Sequence, residues 1–208
     1  MTTRVSHSRQ GRSSTALALL GATYLGILII GLAATPDGQP ILDPWFSLME
    51  ALILLIAPLM VAMVADIHAR AASEARTASL LAVCFMTVAA ALTSAVHFSI
   101  LTLGRSPPFS DPSWSDVFSF EWPSVVYAID ILAWDGFFSL ALFCAAPAVR
   151  SVLVRRLLIV AGGLALIGML GPFIGQMSIR NIGVIGYAVI FPIAAALHAR
   201  HHRLAAAS

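Results

Sequence analysis

Residues 44–65 read PWFSLMEALILLIAPLMVAMVA and contain a single charged residue, Glu50. An α-helix needs about 20 predominantly apolar residues to cross the hydrocarbon core of a bilayer. This stretch is long enough and apolar enough to do so. It therefore predicts a membrane-spanning helix.

Five further stretches have the same character, and short segments rich in turn-forming residues separate them. Hydrophobic residues make up 59% of the 208 residues and charged residues 11%, whereas a soluble domain carries roughly 25% charged residues. The sequence predicts an all-α protein, with one bundle of six transmembrane helices over residues 15–199 and tails at 1–14 and 200–208. The predicted spans are 15–34, 44–65, 78–103, 123–149, 152–177 and 182–199.

The basic residues predict the orientation of the bundle. All twelve are Arg; ten lie in the tails or beside the loops after spans two and four, and two lie on the other side. Basic residues next to spans remain in the cytoplasm. We expect a multi-pass protein of a bacterial inner membrane with both termini cytoplasmic. The first span is expected to remain as a helix, because it exceeds the about 7–15 apolar residues of a signal peptide.

The composition also excludes several classes of function. The absence of Lys excludes a lysine Schiff base and a phosphate-binding P-loop. The Arg residues lie at helix ends and form no patch for nucleic acid. Cys84 and Cys144 lie in apolar runs outside any CxxC pair, so neither a disulfide nor a metal site is expected. No cofactor is expected.

Three ionisable side chains lie inside consecutive spans at matching depth. Glu50, His97 and Asp130 each lie about 9–10 Å below the outer surface, at a rise of about 1.5 Å per residue. Because an isolated ionisable group is costly in hydrocarbon, a shared site in the outer half is favoured. Polar and aromatic side chains at helical spacing share the faces of His97 and Asp130. The predicted site for a ligand or proton comprises Glu50, Ser94, His97, Tyr127, Asp130 and Trp134.

Asp135 and Arg180 are secondary candidates. Asp135 lies five residues after Asp130, or roughly 140° around an α-helix, so it is expected to face a different helix contact. Arg180 lies near the outer surface, where it either pairs with an outer carboxylate or reaches lipid phosphate. The outer carboxylates are Asp37, Asp43, Asp111, Asp116 and Glu121.

Two segments outside these positions have open interpretations. The loop 104–122, GRSPPFSDPSWSDVFSFEW, is aromatic and acidic; it is either an interfacial belt or docking surface, or a lid over the predicted site. In span five, Gly171-xxx-Gly175 favours close packing between helices.

Two resemblances concern particular motifs. Ser94-x-x-His97, a later Asp and the final His198-xxx-His202 follow an order that resembles the membrane-bound alkaline ceramidase superfamily. That resemblance implies a zinc-dependent lipid amidase with seven spans. This chain departs from it, because it has six predicted spans and its final histidines lie on the opposite side from His97. One His with two carboxylates is also a small ligand set for zinc, so no metal is expected.

The stretch 118–135, FSFEWPSVVYAIDILAWD, is similar to a block in uncharacterised bacterial multi-pass membrane proteins. This similarity covers spans two to six loosely and implies no activity.

Three classes of function remain open. The first is the binding or movement of a small molecule or proton through the outer polar site. The second is an intramembrane enzyme that acts on a lipid, and the third is a structural subunit whose buried ionisable groups only hold helices together. Expected partners are the bilayer, a small-molecule or lipid ligand, and a membrane-protein partner or a second copy. The subunit alternative predicts no cavity beside His97, whereas the other two require one.

Overall fold

The computed structural model describes the backbone of residues 4–36 and 38–207, and the side chains of residues 12–36 and 38–201. Over these residues the chain forms helices and connecting loops, without a β-strand. The prediction of an all-α fold is therefore confirmed. Asp37 and the side chains of Arg4, Arg9, His202 and Arg203 lie outside the described residues.

Six helices, α1 to α6, are long and apolar enough to cross a membrane, as predicted. Their boundaries differ from the predicted spans by up to five residues, except that α1 begins eleven residues earlier, at Arg4, and α6 continues eight residues further, to Ala207. The helix α5 ends at Ile174 because Gly175, with φ of +70°, adopts the left-handed conformation that terminates a helix. The helices are α1 (Arg4–Ala34, apolar from Arg12), α2 (Trp45–Ala69), α3 (Ser73–Arg105), α4 (Val125–Ala148), α5 (Val152–Ile174) and α6 (Met177–His201, continuing to Ala207).

The six helices form a closed ring in chain order. Each helix packs against the next, and α6 packs against α1. Consecutive helices run antiparallel, so the start of α1 and the end of α6 lie at one end of the ring. We call this the termini end, and the opposite end, with the loops 35–44, 106–124 and 175–176, the loop end.

The main hydrophobic core lies towards the termini end. Met60, Met63, Leu142 and Leu158 are buried there. Large apolar side chains such as Leu55 and Phe173 are exposed around the outside of the ring. This distribution is that of a bundle with an apolar environment on its outer surface.

Two of the helices contain a π-helical turn. One occupies Leu132–Phe137 in α4, and the other occupies Ile185–Ile190 in α6. In a π-helical turn, hydrogen bonds join residues five apart instead of four apart, and such turns frequently occur at functional sites. Both lie beside the polar residues described below.

Close packing of α5 on α6 depends on glycines, including Gly171 of the expected pair, where an added Cβ would lie 3.4 Å from the backbone nitrogen of Arg180. A Cβ added at Gly186 would lie 2.6 Å from the backbone oxygen of Ala161, and one at Gly168 would lie 3.0 Å from the Cα of Gly183. A Cβ added at Gly175 would meet nothing within 4 Å. The expectation for Gly171-xxx-Gly175 was therefore wrong for Gly175, which ends the helix.

Candidate functional site

The side chains of Glu50, His97 and Asp130 meet inside the ring. Nδ1 of His97 lies 2.5 Å from Oε2 of Glu50, and Nε2 of His97 lies 3.3 Å from Oδ1 of Asp130. All three residues are almost fully buried. The imidazole of α3 thus lies between a carboxyl group of α2 and one of α4, an arrangement that stabilises a charged or strongly polarised imidazole.

Arg180 extends this cluster from α6. Its Nη2 lies 2.7 Å from Oδ2 of Asp130, and its Nη1 donates to the hydroxyl of Tyr127 at 2.9 Å. The guanidinium carbon also lies 4.4 Å from the centroid of the Tyr127 ring. Asp130 is therefore shared between His97 and Arg180.

The expected partner of Arg180 was wrong. The described outer carboxylates do not reach it; the nearest pairs are with Asp130 and, at 3.5 Å, with Asp135. The physical reason is that Arg180 is buried and points into the ring. Asp43 instead pairs with Arg105 at 3.2 Å.

Asp43 is held at the start of α2. The hydroxyl of Ser47 donates to its carboxylate, and the backbone N–H of Ser47 donates at 3.1 Å. The Ser47 hydroxyl, followed by the backbone bond and Arg105, holds the pKa of Asp43 below its usual value. The outer carboxylate therefore stabilises a helix end.

Asp135 lies in the same ion-pair network as Asp130, contrary to the expectation that it faces elsewhere. In a π-helical turn, residues five apart lie above one another, and α4 contains such a turn over Leu132–Phe137. Gly183 provides room, because a Cβ there would lie 2.6 Å from Oδ1 of Asp135. Both carboxyl oxygens of Asp135 are buried without a hydrogen-bond partner among the described residues.

The hydroxyl that approaches Asp130 from α3 belongs to Thr93. It lies 3.4 Å from Oδ1 of Asp130 and accepts a hydrogen bond from Nε1 of Trp134 at 2.8 Å. Ser94, the predicted site residue, is half-buried and does not line the cavity described next. Thr93 shares a face with His97 at i, i+4 spacing, which was the available signal for it.

A cavity of about 760 Å³ lies beside this cluster, in the middle of the ring. Glu50, His97, Asp130 and Arg180 lie along one part of its wall, and α1, α2 and α6 supply most of the rest. Its mouth is lined by residues 38–41 and 119–122 and by Met177. Its deepest lining residues include Met60 and Pro192, about 22 Å from the loop end at 1.5 Å per residue.

The cavity does not extend through the described bundle. Beyond Met60, the fully buried side chains of Met63, Val64 and Leu142 fill the ring. The space is therefore a pocket that opens at the loop end and closes towards the termini end.

All three tyrosines of the chain line this pocket. Besides Tyr127, these are Tyr24 of α1 and Tyr187 of α6, both close enough to interact electrostatically with Asp130 and Arg180. The hydroxyls of Tyr24 and Tyr187 have no hydrogen-bond partner among the described residues. The site predicted from the sequence does not include these two tyrosines. Each is an isolated Tyr within an apolar span, and this was the only indication of a role in the interior.

The loop 104–122 contributes to the mouth of the pocket. Phe120 packs against His97, with ring centroids 5.6 Å apart, and against Tyr127 at 5.0 Å. Phe109, Trp114 and Phe118 form a separate aromatic cluster. The end of the loop therefore covers the polar cluster, while the exposed Trp114 is available to an interface.

The histidines near the C-terminus do not join His97. His198 lies about 31 Å from the start of α6, whereas His97 lies about 12 Å from the same end of the bundle. Among residues 12–36 and 38–201, no three His, Cys, Asp or Glu side chains form a group that could hold a metal ion. The ligand set that the ceramidase resemblance implies is thus not assembled within these residues.

No protein-family model matches this chain, and no significant match was found among curated proteins or solved structures.

Proposed function

We propose that this protein binds a small molecule in the pocket, with a polar group of the ligand next to Glu50, His97 and Asp130. The observation that supports this is the cavity of about 760 Å³ beside the buried polar cluster. Pockets that bind small molecules have volumes of about 300–1,000 Å³, largely apolar walls and a few convergent polar groups. A cluster that only held helices together would have no need of this space.

We further propose that the pocket opens to the outside of a bacterial inner membrane. The ten Arg residues at the termini side support cytoplasmic termini. The loop end, with the mouth of the pocket, would then face away from the cytoplasm. The polar cluster would lie in the outer half of the membrane.

Binding accounts for the geometry better than movement of the ligand across the membrane. The pocket ends at packed side chains about 22 Å from the loop end, and its polar groups are concentrated near the mouth. Transport would require an alternative conformation that opens the termini end. Proton exchange among Glu50, His97 and Asp130 requires no such opening.

A lipid-acting enzyme is the second candidate, and the position of His97 favours it. An imidazole paired with carboxyl groups, at the wall of a pocket that admits apolar molecules, has the components of general acid–base catalysis. Mass spectrometry of lipid vesicles containing the protein would detect released headgroups or acyl chains. Release that disappears in His97→Gln would favour the enzyme over a binding protein.

Filling the pocket tests the proposed binding. Ala188 lines the pocket and is buried, so Ala188→Phe would occupy the space of the ligand. Isothermal titration with 1-octanol, using the protein in nanodiscs and subtracting empty discs, should give saturable binding that Ala188→Phe reduces at least tenfold.

Ala91→Phe is the matched control, because Ala91 is exposed on the outside of α3. It should leave the titration unchanged. Titrations without saturable binding to the wild-type protein, or equal binding to both variants, would contradict the proposed function.

A further inference from the structure

The ionisable groups of the cluster do not balance in charge. Glu50, Asp130 and Asp135 supply three carboxyl groups, whereas Arg180 and His97 supply one guanidinium and one imidazole. With all three carboxyls ionised, the net charge is −1 when His97 is protonated and −2 when it is neutral. An uncompensated buried carboxylate is costly, so a bound proton or a cationic ligand is favoured.

Arg180 is not available to bind an anionic ligand. Its guanidinium contacts Asp130 at 2.7 Å, Asp135 at 3.5 Å and the hydroxyl of Tyr127 at 2.9 Å. His97 is likewise held between two carboxyl groups. An anion at this wall would have to displace a carboxylate from each cation it approached.

The pocket wall suits an organic cation. Aromatic faces attract ammonium groups through their quadrupoles. The hydroxyls of Tyr24 and Tyr187, without a partner among the described residues, can accept hydrogen bonds from such a group. The aromatic lining residues are Tyr24, Phe46, Phe120, Trp122, Tyr127, Trp134, Tyr187 and Phe191.

The loops around the mouth have the same charge preference. The segments 35–44, 104–124 and 175–176 contain five acidic residues and one basic residue, Arg105, which pairs with Asp43. Glu121 lies at the mouth itself. An excess of negative charge raises the local concentration of positively charged ligands.

The part of the pocket wall that α2 supplies below Glu50 is apolar. From Glu50 to Met60 it extends about 15 Å along α2, and Leu17, Ile53 and Ile56 line this part. It contains no ionisable side chain from α2 over this distance. This depth accommodates an apolar chain attached to the polar group.

We infer that the ligand is an amphipathic organic cation, with an ammonium or amine group beside Glu50 and the tyrosines and an apolar chain directed towards Met60. This inference rests on the proposed function and specifies the chemical class of its ligand. The same chemistry occurs in a free long-chain amine and in the headgroup of an ammonium-bearing lipid.

Titration with three probes that share one chain tests this inference. Protein in nanodiscs of an uncharged glycolipid is titrated with octylammonium, 1-octanol and octyl sulfate, and empty discs are subtracted. We expect octylammonium to bind at least tenfold more tightly than octanol, and octyl sulfate to bind more weakly than octanol. Discs that also contain phosphatidylethanolamine distinguish a lipid ligand from a free amine. Weaker binding of octylammonium in these discs indicates that the lipid headgroup competes for the site, and unchanged binding indicates that the natural ligand is a free amine.

Two matched variants of α2 locate the charge. Glu50→Gln should remove the preference for octylammonium while octanol still binds, and Asp66→Asn, near the termini end, should change neither. Should Glu50→Gln fail to fold, Tyr24→Phe removes only a hydroxyl and should weaken octylammonium binding about fivefold. Equal affinity for octylammonium and octanol, or tightest binding of octyl sulfate, overturns the inference and leaves the proposed function standing. Absence of saturable binding for all three probes contradicts the proposed function itself.

Discussion

At the residue scale, Arg180 connects the two halves of the buried cluster. It binds Asp130, which also contacts His97, and it lies within ion-pair distance of Asp135. Neighbouring residues satisfy most of its polar atoms, although its Nε lacks a hydrogen bond among the described residues. Because Arg180 is buried, its guanidinium pairs with carboxylates inside the ring. An exposed Arg at the same helix end would instead extend towards lipid phosphate.

Replacement of Arg180 should destabilise the protein strongly. Arg180→Ala leaves Asp135 buried without a cation and leaves Asp130 with His97 alone, and breaking a buried ion pair costs about 3–5 kcal/mol. We expect a markedly lower Tm in detergent. Arg105→Ala is the matched control, because the side chains of its pair with Asp43 are 40% and 55% exposed; exposed pairs contribute about 0–1 kcal/mol. A similar Tm for both variants would show that Arg180 is not held by the cluster.

At the scale of elements, two kinds of local irregularity shape the site. The π-helical turn of α4 brings Asp135 under Asp130, and that of α6 begins five residues after Arg180 and contains Tyr187. Glycines on the facing surfaces of α5 and α6 then allow the two backbones to approach. Together these features place α6 close enough to α4 for Arg180 to reach both aspartates.

Two glycines of this region should respond differently to an added methyl group. Gly186→Ala places a Cβ against the backbone of α5, which cannot move aside as a side chain would, and overpacking costs about 1–3 kcal/mol. Gly163→Ala meets nothing within 4 Å and should leave the Tm unchanged or raise it, because Ala favours helix by up to about 1 kcal/mol over Gly. Thermal unfolding of both variants measures this. Equal shifts would contradict the close approach at Gly186.

At the scale of the whole molecule, five of the six helices, all except α5, line a pocket at the loop end of the ring. The main packed core lies towards the termini end, whereas the loop end contains the pocket and a smaller packed cluster of Val96, Ile100 and Val126. A bundle with this distribution has one accessible face. Which side of the membrane that face lies on is decided by the orientation of the chain.

Accessibility of two positions tests the proposed orientation. In a variant with Cys84 and Cys144 replaced by Ala, Ser113→Cys should react in intact cells with a thiol reagent that cannot cross the membrane, whereas Ser73→Cys should react only after lysis. Both positions are exposed; Ser113 lies in a loop at the loop end, and Ser73 lies at the start of α3, at the termini end. The reverse pattern would place the mouth of the pocket in the cytoplasm.

The sequence alone was sufficient to expect Glu50, His97 and Asp130 at similar depths. Depth follows from position along a span, because a helix rises by a constant amount per residue. The sequence was not sufficient to place the side chain of Asp135. Its direction around the helix axis was calculated for a regular α-helix, whereas α4 contains a π-helical turn at this position. Nor was it sufficient for Arg180, because the partner of a residue near a helix end depends on how that helix is rotated.

The number of membrane-spanning helices follows from the amino-acid sequence alone, since hydrophobic length is a local property of each segment. The pocket, the position of Tyr24 and Tyr187 at its wall, and the place of Arg180 in the cluster appear only in the folded molecule. These features require closure of the ring, which brings α6 beside both α1 and α5. Residues about 160 positions apart, such as Tyr24 and Tyr187, then share one wall, and no spacing within the sequence encodes that contact.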